Sequence, residues 1–222
     1  MRLQLTLCPN TVIVPFNHIT ALSGALHKFL GPNTEHGGIS LYSFGWLQGG
    51  VAKGGGLWYP HGASWHISAI DGDFLSRSIE GVLKDPEIRW GMRVTNAELL
   101  PFPDFGDGDE TYFRCLSPIL IKRELERGST KHFIYTDPES DYLLTETMKH
   151  KLREAGMPSD GIELWFDHGY PKAKTQLVRY RNIDNRASYC PVFMRGSDLQ
   201  RAFAWTVGLG NSTGVGFGAV WV

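Results

Sequence analysis

The chain carries eight histidines, and two of them, His27 and His36, stand nine residues apart near the amino terminus. Imidazole titrates near neutral pH, so such a pair can divide the acid and base halves of a proton-transfer reaction. Each has a plainer reading. A loop histidine is usually solvated surface, and a histidine in the last turn of a helix is a cation that favours the helix dipole. The remaining six are set aside by position. His18 belongs to a capping region, His61 and His66 to a hairpin, and His132, His150 and His168 have no supporting context.

The elements around the pair are readable. Leu3, Leu5 and Leu7 alternate as in a strand. Asn17 is placed to cap a helix whose apolar stripe is Ile19, Leu22, Leu26, Phe29 and Leu30, stopped by Gly31-Pro32. At about 100° per residue His27 lies on the flank of that stripe. His36 follows in the Gly31–Gly38 loop, before a strand through Ile39 and Leu41. A loop that returns beside its helix end brings the two imidazoles together.

Gly49 to Gly56, with five glycines, reads as a flexible loop. A hairpin or strand through Leu57–Ile70 follows. Next come a helix capped by Asp71 or Asp73 and an extended Arg89–Leu99. Residues 1–100 thus read β-α-β-β-α-β, the ferredoxin-like order. Pro101–Glu110, rich in Pro, Asp and Gly, is a linker or an acidic hairpin tip. Residues 101–222 read as a second unit. Its strands are Tyr112–Lys122 (interrupted at Ser117-Pro118), Ile162–Phe166, Thr175–Tyr180 and Tyr189–Met194, with a last strand at Ala219–Val222. Its helices run from Pro138 to Glu154, capped by Asp137, and from Ser197 or Asp198 to Val207. The fold class expected is α+β, two tandem ferredoxin-like (RRM-like) domains, divided as 1–100 and 101–222.

The segment most open to a ligand is Gly208–Gly218, where Gly208, Gly210, Gly214, Gly216 and Gly218 free the backbone for close approach. It is not a dinucleotide fingerprint, because position 213 is Thr and the loop follows a helix and precedes a strand. It is not a P-loop, since it contains no lysine. A backbone-lined loop suits an extended chain such as a nucleic-acid backbone, and a tight structural connection is the plainer reading.

Composition narrows the classes. The chain is 42% hydrophobic and 20% charged, so it can bury a core. Its net charge of −1 excludes bulk attraction to polyanions. Charge is uneven, however. Residues 161–222 hold seven Lys/Arg against four Asp/Glu, while residues 1–160 hold fifteen against nineteen. Lys172, Lys174, Arg179, Arg181, Arg186, Arg195 and Arg201 form the basic set, with Arg179 and Arg181 expected on one sheet face by alternation. Tyr180 and Tyr189 are candidates for stacking on bases. Cys8, Cys115 and Cys190 form no CxxC pair, and no HExxH, EF-hand loop or GxSxG elbow occurs. No metal site and no cofactor are expected. No run approaches about 20 apolar residues and the amino terminus alternates, so neither a membrane span nor a signal peptide is expected, and reduced thiols fit a cytoplasmic protein.

Taken together, these segments resemble the CRISPR-associated endoribonucleases that cut repeat RNA, the Cas six (Cas6) family. The likeness lies in the glycine loop with its Gly216-Phe217-Gly218 ending before a last strand. It lies also in Val14-Pro15-Phe16-Asn17-His18 with Leu22-Ser23-Gly24-Ala25-Leu26-His27, in Ser117-Pro118, and in Asp85-Pro86-Glu87-Ile88-Arg89. The resemblance spans both halves. It implies tandem ferredoxin-like domains and metal-independent cleavage of precursor CRISPR RNA within the repeat. In that reaction a 2′-hydroxyl attacks its own phosphate, leaving 2′,3′-cyclic phosphate and 5′-OH ends. It implies that His27, at a position where the family carries Tyr or His, and His36, before the second strand, are catalytic. The family often has a lysine where Ser40 stands, so positive charge at the phosphorane would come from Lys28, Lys53 or a protonated histidine. CRISPR repeat RNA is the implied partner, with other effector-complex subunits also implied and the chain a monomer or homodimer. A non-cleaving RNA-binding subunit of the Cas five type is the alternative.

Overall fold

A computed structural model describes residues 1–32, 39–125 and 128–222. The first sheet is built from β1 (Arg2–Leu7), β2 (Tyr42–Phe44), β5 (Ala63–Ala69) and β6 (Val94–Leu100), in the order β2-β5-β1-β6, with every neighbour antiparallel. Leu3, Leu5 and Leu7 all point into the core, as their alternation requires. Two helices cover that face, α1 (Ile19–Leu30) and α2 (Gly72–Lys84). The whole α1 stripe is buried. The two helices touch at Gly81, where a Cβ would stand 2.0 Å from the Phe29 carbonyl oxygen.

The second sheet repeats the topology. Its strands are β7 (Glu110–Cys115), β10 (Glu163–Phe166), β13 (Val192–Arg195) and β14 (Val220–Trp221), in the order β10-β13-β7-β14. Counted within each half, both sheets run second-third-first-fourth, the order of a split βαβ pair. α3 (Ser140–Glu154) and α4 (Asp198–Val207) cover one face, with Leu144, Met148, Leu152, Phe203 and Val207 in its core. A capping box between Ser197 and Gln200 starts α4.

Several local expectations are corrected. The glycine-rich Gly49–Gly56 segment is not a loop throughout: β3 (Val51–Lys53) pairs with β4 (Gly56–Trp58). Gly54 and Gly55 both have positive φ, which a two-residue hairpin turn demands. Tyr189–Met194 is two strands, β12 (Ile183–Tyr189) and β13, parted at Pro191, which has no N–H for a ladder. β12 pairs with β11 (Lys174–Tyr180) as a separate hairpin. Tyr112–Lys122 likewise divides, its second part being β8 (Ile121–Glu124), paired with β9 (Thr130–Phe133). Asn17 does not cap α1; its side-chain amide donates to the Arg179 carbonyl, and His18 takes the cap position with its ring turned to the Pro15 and Phe16 carbonyls instead of the helix. Asp137 does not cap α3 either, because its carboxylate accepts from the Ile134 N–H, and Glu139 takes the cap position.

The two halves are joined by buried contacts. The Arg2 guanidinium lies 3.7 Å from the centre of the Trp205 ring and donates to the Trp205 carbonyl. Ser43 Oγ donates to the Thr206 carbonyl at 2.8 Å. Trp46 Nε1 donates to the Gly216 carbonyl at 3.0 Å. Ile19, Leu120, Val178, Ala187 and Phe217 form a third apolar cluster, which joins α1 to the glycine loop and the β11–β12 hairpin. Among the described residues, no helix is long and apolar enough to cross a membrane.

Candidate nucleic-acid cleft

The glycine-rich segment leaves the end of α4 and folds back before β14. Gly208, Gly210, Gly216 and Gly218 all have positive φ. Gly214 does not, and its reason is space: a Cβ there would lie 2.3 Å from Ser40 Oγ and 2.8 Å from the Tyr42 ring. Backbone bonds fix the loop's course. Asn211 N–H donates to the Leu120 carbonyl at 2.7 Å, and Gly218 N–H to the Pro118 carbonyl at 2.8 Å. The Asn211 side chain in turn accepts from the Lys122 N–H at 2.9 Å.

Beneath the loop lies a buried lysine. Lys151 Nζ donates to the carbonyls of Val207 and Gly208, at 3.4 and 3.1 Å, and to Thr213 Oγ1 at 3.2 Å. Burial pushes its pKa down to about 7. The three acceptors include the open carbonyl end of α4, where a cation is favoured. Thr213 Oγ1 donates onward to the Tyr42 carbonyl at 3.0 Å. The loop is thereby tied to both halves.

A cleft of about 380 Å³ opens between this loop and the end of α1. His27 lines it from the last turn of α1, and Ser40 from the approach to β2. Lys122 enters from β8, and His150 and Lys151 from α3. The backbone of Gly210–Val215 forms the facing wall. His36 lies outside the described residues.

The other sequence candidates are dispersed. Lys28 faces away from the cleft: its ammonium pairs with Asp85 at 3.0 Å, donates to the Glu87 carbonyl, and lines a different groove beside Pro15 and Arg89. Lys53 is exposed at the turn of the β3–β4 hairpin. Lys172 is exposed ahead of β11, and Lys174 begins that strand with Nζ 5.6 Å from the Tyr189 ring. Arg179 forks onto Asp184 at 2.6 and 2.7 Å. Arg181 does not share its strand face, because it sits in the turn after β11 with φ of 52°. Arg186 is exposed on β12. Arg195 stands among Asp109, Glu110 and Glu163. The local carboxylates therefore answer the charges of Arg179 and Arg195.

The remaining histidines divide by burial. His18 is buried, and desolvation lowers its pKa against the pull of the Pro15 and Phe16 carbonyls. His66 is pushed down to about 4 by burial first and by Arg2 second. Both are neutral packing groups at neutral pH. Cleft residues that sequence reasoning missed are Lys122, His150, Lys151 and Asn211. Nothing in the local pattern marks them, since each becomes a neighbour of His27 only when the two halves dock. Among the described residues, no three His, Cys, Asp or Glu side chains gather as a metal site would need.

Two sheets of one topology, joined by a glycine loop over a shared cleft, define a tandem ferredoxin-like protein. The chain belongs to the Cas6 family: the family model for "CRISPR associated protein Cas6, C-terminal" matches residues 100–222. Solved structures agree in fold. A CRISPR associated protein Cas6 is 22% identical with a TM-score of 0.83, covering 100% of this chain and 98% of its own. A Cas6-related protein from Pyrococcus furiosus is 21% identical, with a TM-score of 0.83 and coverage of 100% and 97%. A RAMP protein binding different RNA substrates is 22% identical, with a TM-score of 0.84 and coverage of 99% and 98%. No curated protein sequence matches the chain.

Proposed function

We propose that this chain is an endoribonuclease that cuts precursor CRISPR RNA within the repeat, without a metal, at the cleft between its two halves. The 2′-hydroxyl next to the scissile phosphate loses its proton to a base and attacks the phosphorus. The P–O5′ bond breaks, and an acid returns a proton to the leaving 5′-oxygen. The products are a 2′,3′-cyclic phosphate and a 5′-OH end. His27 and His36 share the base and acid roles. His27 is placed in the cleft, whereas the share of His36 rests on its position in the sequence.

The observation that carries this reading is that His27 and the glycine-rich backbone line one cavity, although they come from opposite ends of the chain. Gly210 and Gly214 bring no side chain to the cavity wall, which leaves room for a phosphodiester beside the half-buried Asn211 and Ser212, and an imidazole within the same cavity can move protons on it. The positive charge at the phosphorane falls to Lys122, which lines that cavity. Lys28 is spent on Asp85. That a similar fold belongs to a protein binding different RNA substrates supports an RNA ligand.

The test is cleavage of a repeat-containing transcript in EDTA by the wild type and by His27→Ala and His36→Ala. Cyclic phosphate ends from the wild type, and intact RNA still bound by each variant, are the expected result. Binding without any product from the wild type sinks the nuclease reading and favours a non-cleaving effector subunit.

A further inference from the structure

One wall of the cleft continues outward onto the β8–β9 hairpin. Lys122 lines the cleft and also the shallow groove that leads away from it beside Arg123, Thr130 and Arg153. Directly opposite Lys122 on β9 stands His132, so both side chains rise from one face of the hairpin. β12, which carries Arg186, packs beside β9. The three groups sense one another: burial, then the charges of Lys122 and Arg186, hold the His132 imidazole below its usual pKa.

Cations held together repel, and proteins ordinarily answer them with carboxylates. The lowered pKa leaves His132 neutral at neutral pH, so the charges are those of Lys122 and Arg186, and among the described residues neither forms an ion pair with a carboxylate. Among the described residues, two carboxylates line the groove: Glu146 is taken by Lys149 and Arg153, and Glu124, two residues along β8 from Lys122, forms no ion pair with Lys122 or Arg186. Arg179 and Arg195, elsewhere in the same half, are both neutralised. Lys122 and Arg186, on either side of a neutral imidazole, are therefore free to take an outside anion.

We propose that Lys122, His132 and Arg186 form a phosphate track that carries a single-stranded RNA segment out of the cleft, across the β8–β9 hairpin and onto β12. The ligand is the phosphodiester backbone, recognised by charge and by the imidazole N–H, with no base read. The track rests on the RNA reading of the cleft and extends it. His132 and Lys122 hold successive positions across one hairpin, while Arg186 fixes the exit.

Binding of a fluorescein-labelled 2′-O-methyl oligouridylate, which lacks the attacking hydroxyl and stays intact, tests the track by anisotropy over a range of NaCl concentrations. Lys122→Ala and Arg186→Ala are each expected to make the slope of log Kd against log salt shallower by about 0.7, the value for one phosphate contact on a single strand. Lys122→Arg retains the wild-type slope. Lys84→Ala, an equal charge loss at an exposed position on α2, does so too. Melting curves establish that each variant is folded. Slopes in the Lys122→Ala and Arg186→Ala proteins equal to that of Lys84→Ala overturn the track, and they leave repeat cleavage by the wild type as a separate result. Shallower slopes in a wild-type background that cuts no repeat RNA keep the track and sink the nuclease.

Discussion

The Lys151 ammonium donates to Thr213 Oγ1 at 3.2 Å, and the Thr213 hydroxyl donates on to the Tyr42 carbonyl. One buried lysine on α3 thereby sets the glycine loop, through a threonine, against the first sheet. The strut braces one wall of the cleft, beside the backbone bonds from Asn211 to Leu120 and from Gly218 to Pro118.

The strut is sensitive to pH. Its folded pKa of about 7 lies below the ordinary lysine value of 10.5. Between those values the unfolded chain holds a proton that the folded chain has released. Stability attributable to this group therefore rises with pH across the window, by up to about 1.4 kcal/mol per pH unit for one proton. Chemical denaturation from pH 7 to pH 10 should show the wild type gaining stability relative to Lys151→Met. Parallel curves for the two proteins would refute the linkage.

Gly214→Ala places a methyl group where Ser40 Oγ and the Tyr42 ring already stand. Overpacking of this kind costs roughly 1–3 kcal/mol. The relief available is movement of the loop away from Ser40, which widens the cleft. A lower melting temperature together with weakened RNA binding is expected. The double variant Gly214→Ala/Ser40→Gly should recover part of both losses, because it removes the nearer obstacle.

Gly218→Ala is predicted to be more damaging. Its φ is 64°, and a Cβ would lie 1.8 Å from the Leu209 carbonyl oxygen. That oxygen belongs to the loop's own backbone and has no side chain's freedom to swing aside. Soluble yield and melting temperature report the outcome, and a wild-type melting curve would contradict it.

His27→Ala should slow single-turnover cleavage by about 10²- to 10⁴-fold, the usual worth of one general acid or base. RNA affinity should change little, because the glycine backbone and Lys122 remain in the cleft. Quench-flow rates and anisotropy separate the two effects. An equal fall in affinity would instead mark His27 as a binding residue.

Much of the local structure was legible because it depends on neighbours in the chain. The stripe from Ile19 to Leu30 fixes α1 and its buried face, and Gly31 ends it. The order of the helices follows from such signals, while the β3–β4 and β8–β9 hairpins and the break between β12 and β13 do not. Where they misled, a specific contact had won. Asn17 spends its amide on the Arg179 carbonyl of the other half. The glycines from Gly49 to Gly56 make a tight turn between two short strands. Arg179 and Arg195, read as RNA-facing cations, stand against carboxylates that charge counts along the sequence do not pair with them.

The sequence by itself determined the four helices, the α+β class and the presence of His27 on a helix flank, since these rest on periodicity and turn chemistry within a few residues. The tertiary structure alone decided which side chains share the cleft with His27. Lys28, its chain neighbour, turns away to Asp85, while Lys122, His150 and Lys151 arrive from β8 and α3. Side-chain meetings of that kind are set by how two sheets dock through Arg2, Ser43 and Trp46. No local pattern encodes that geometry.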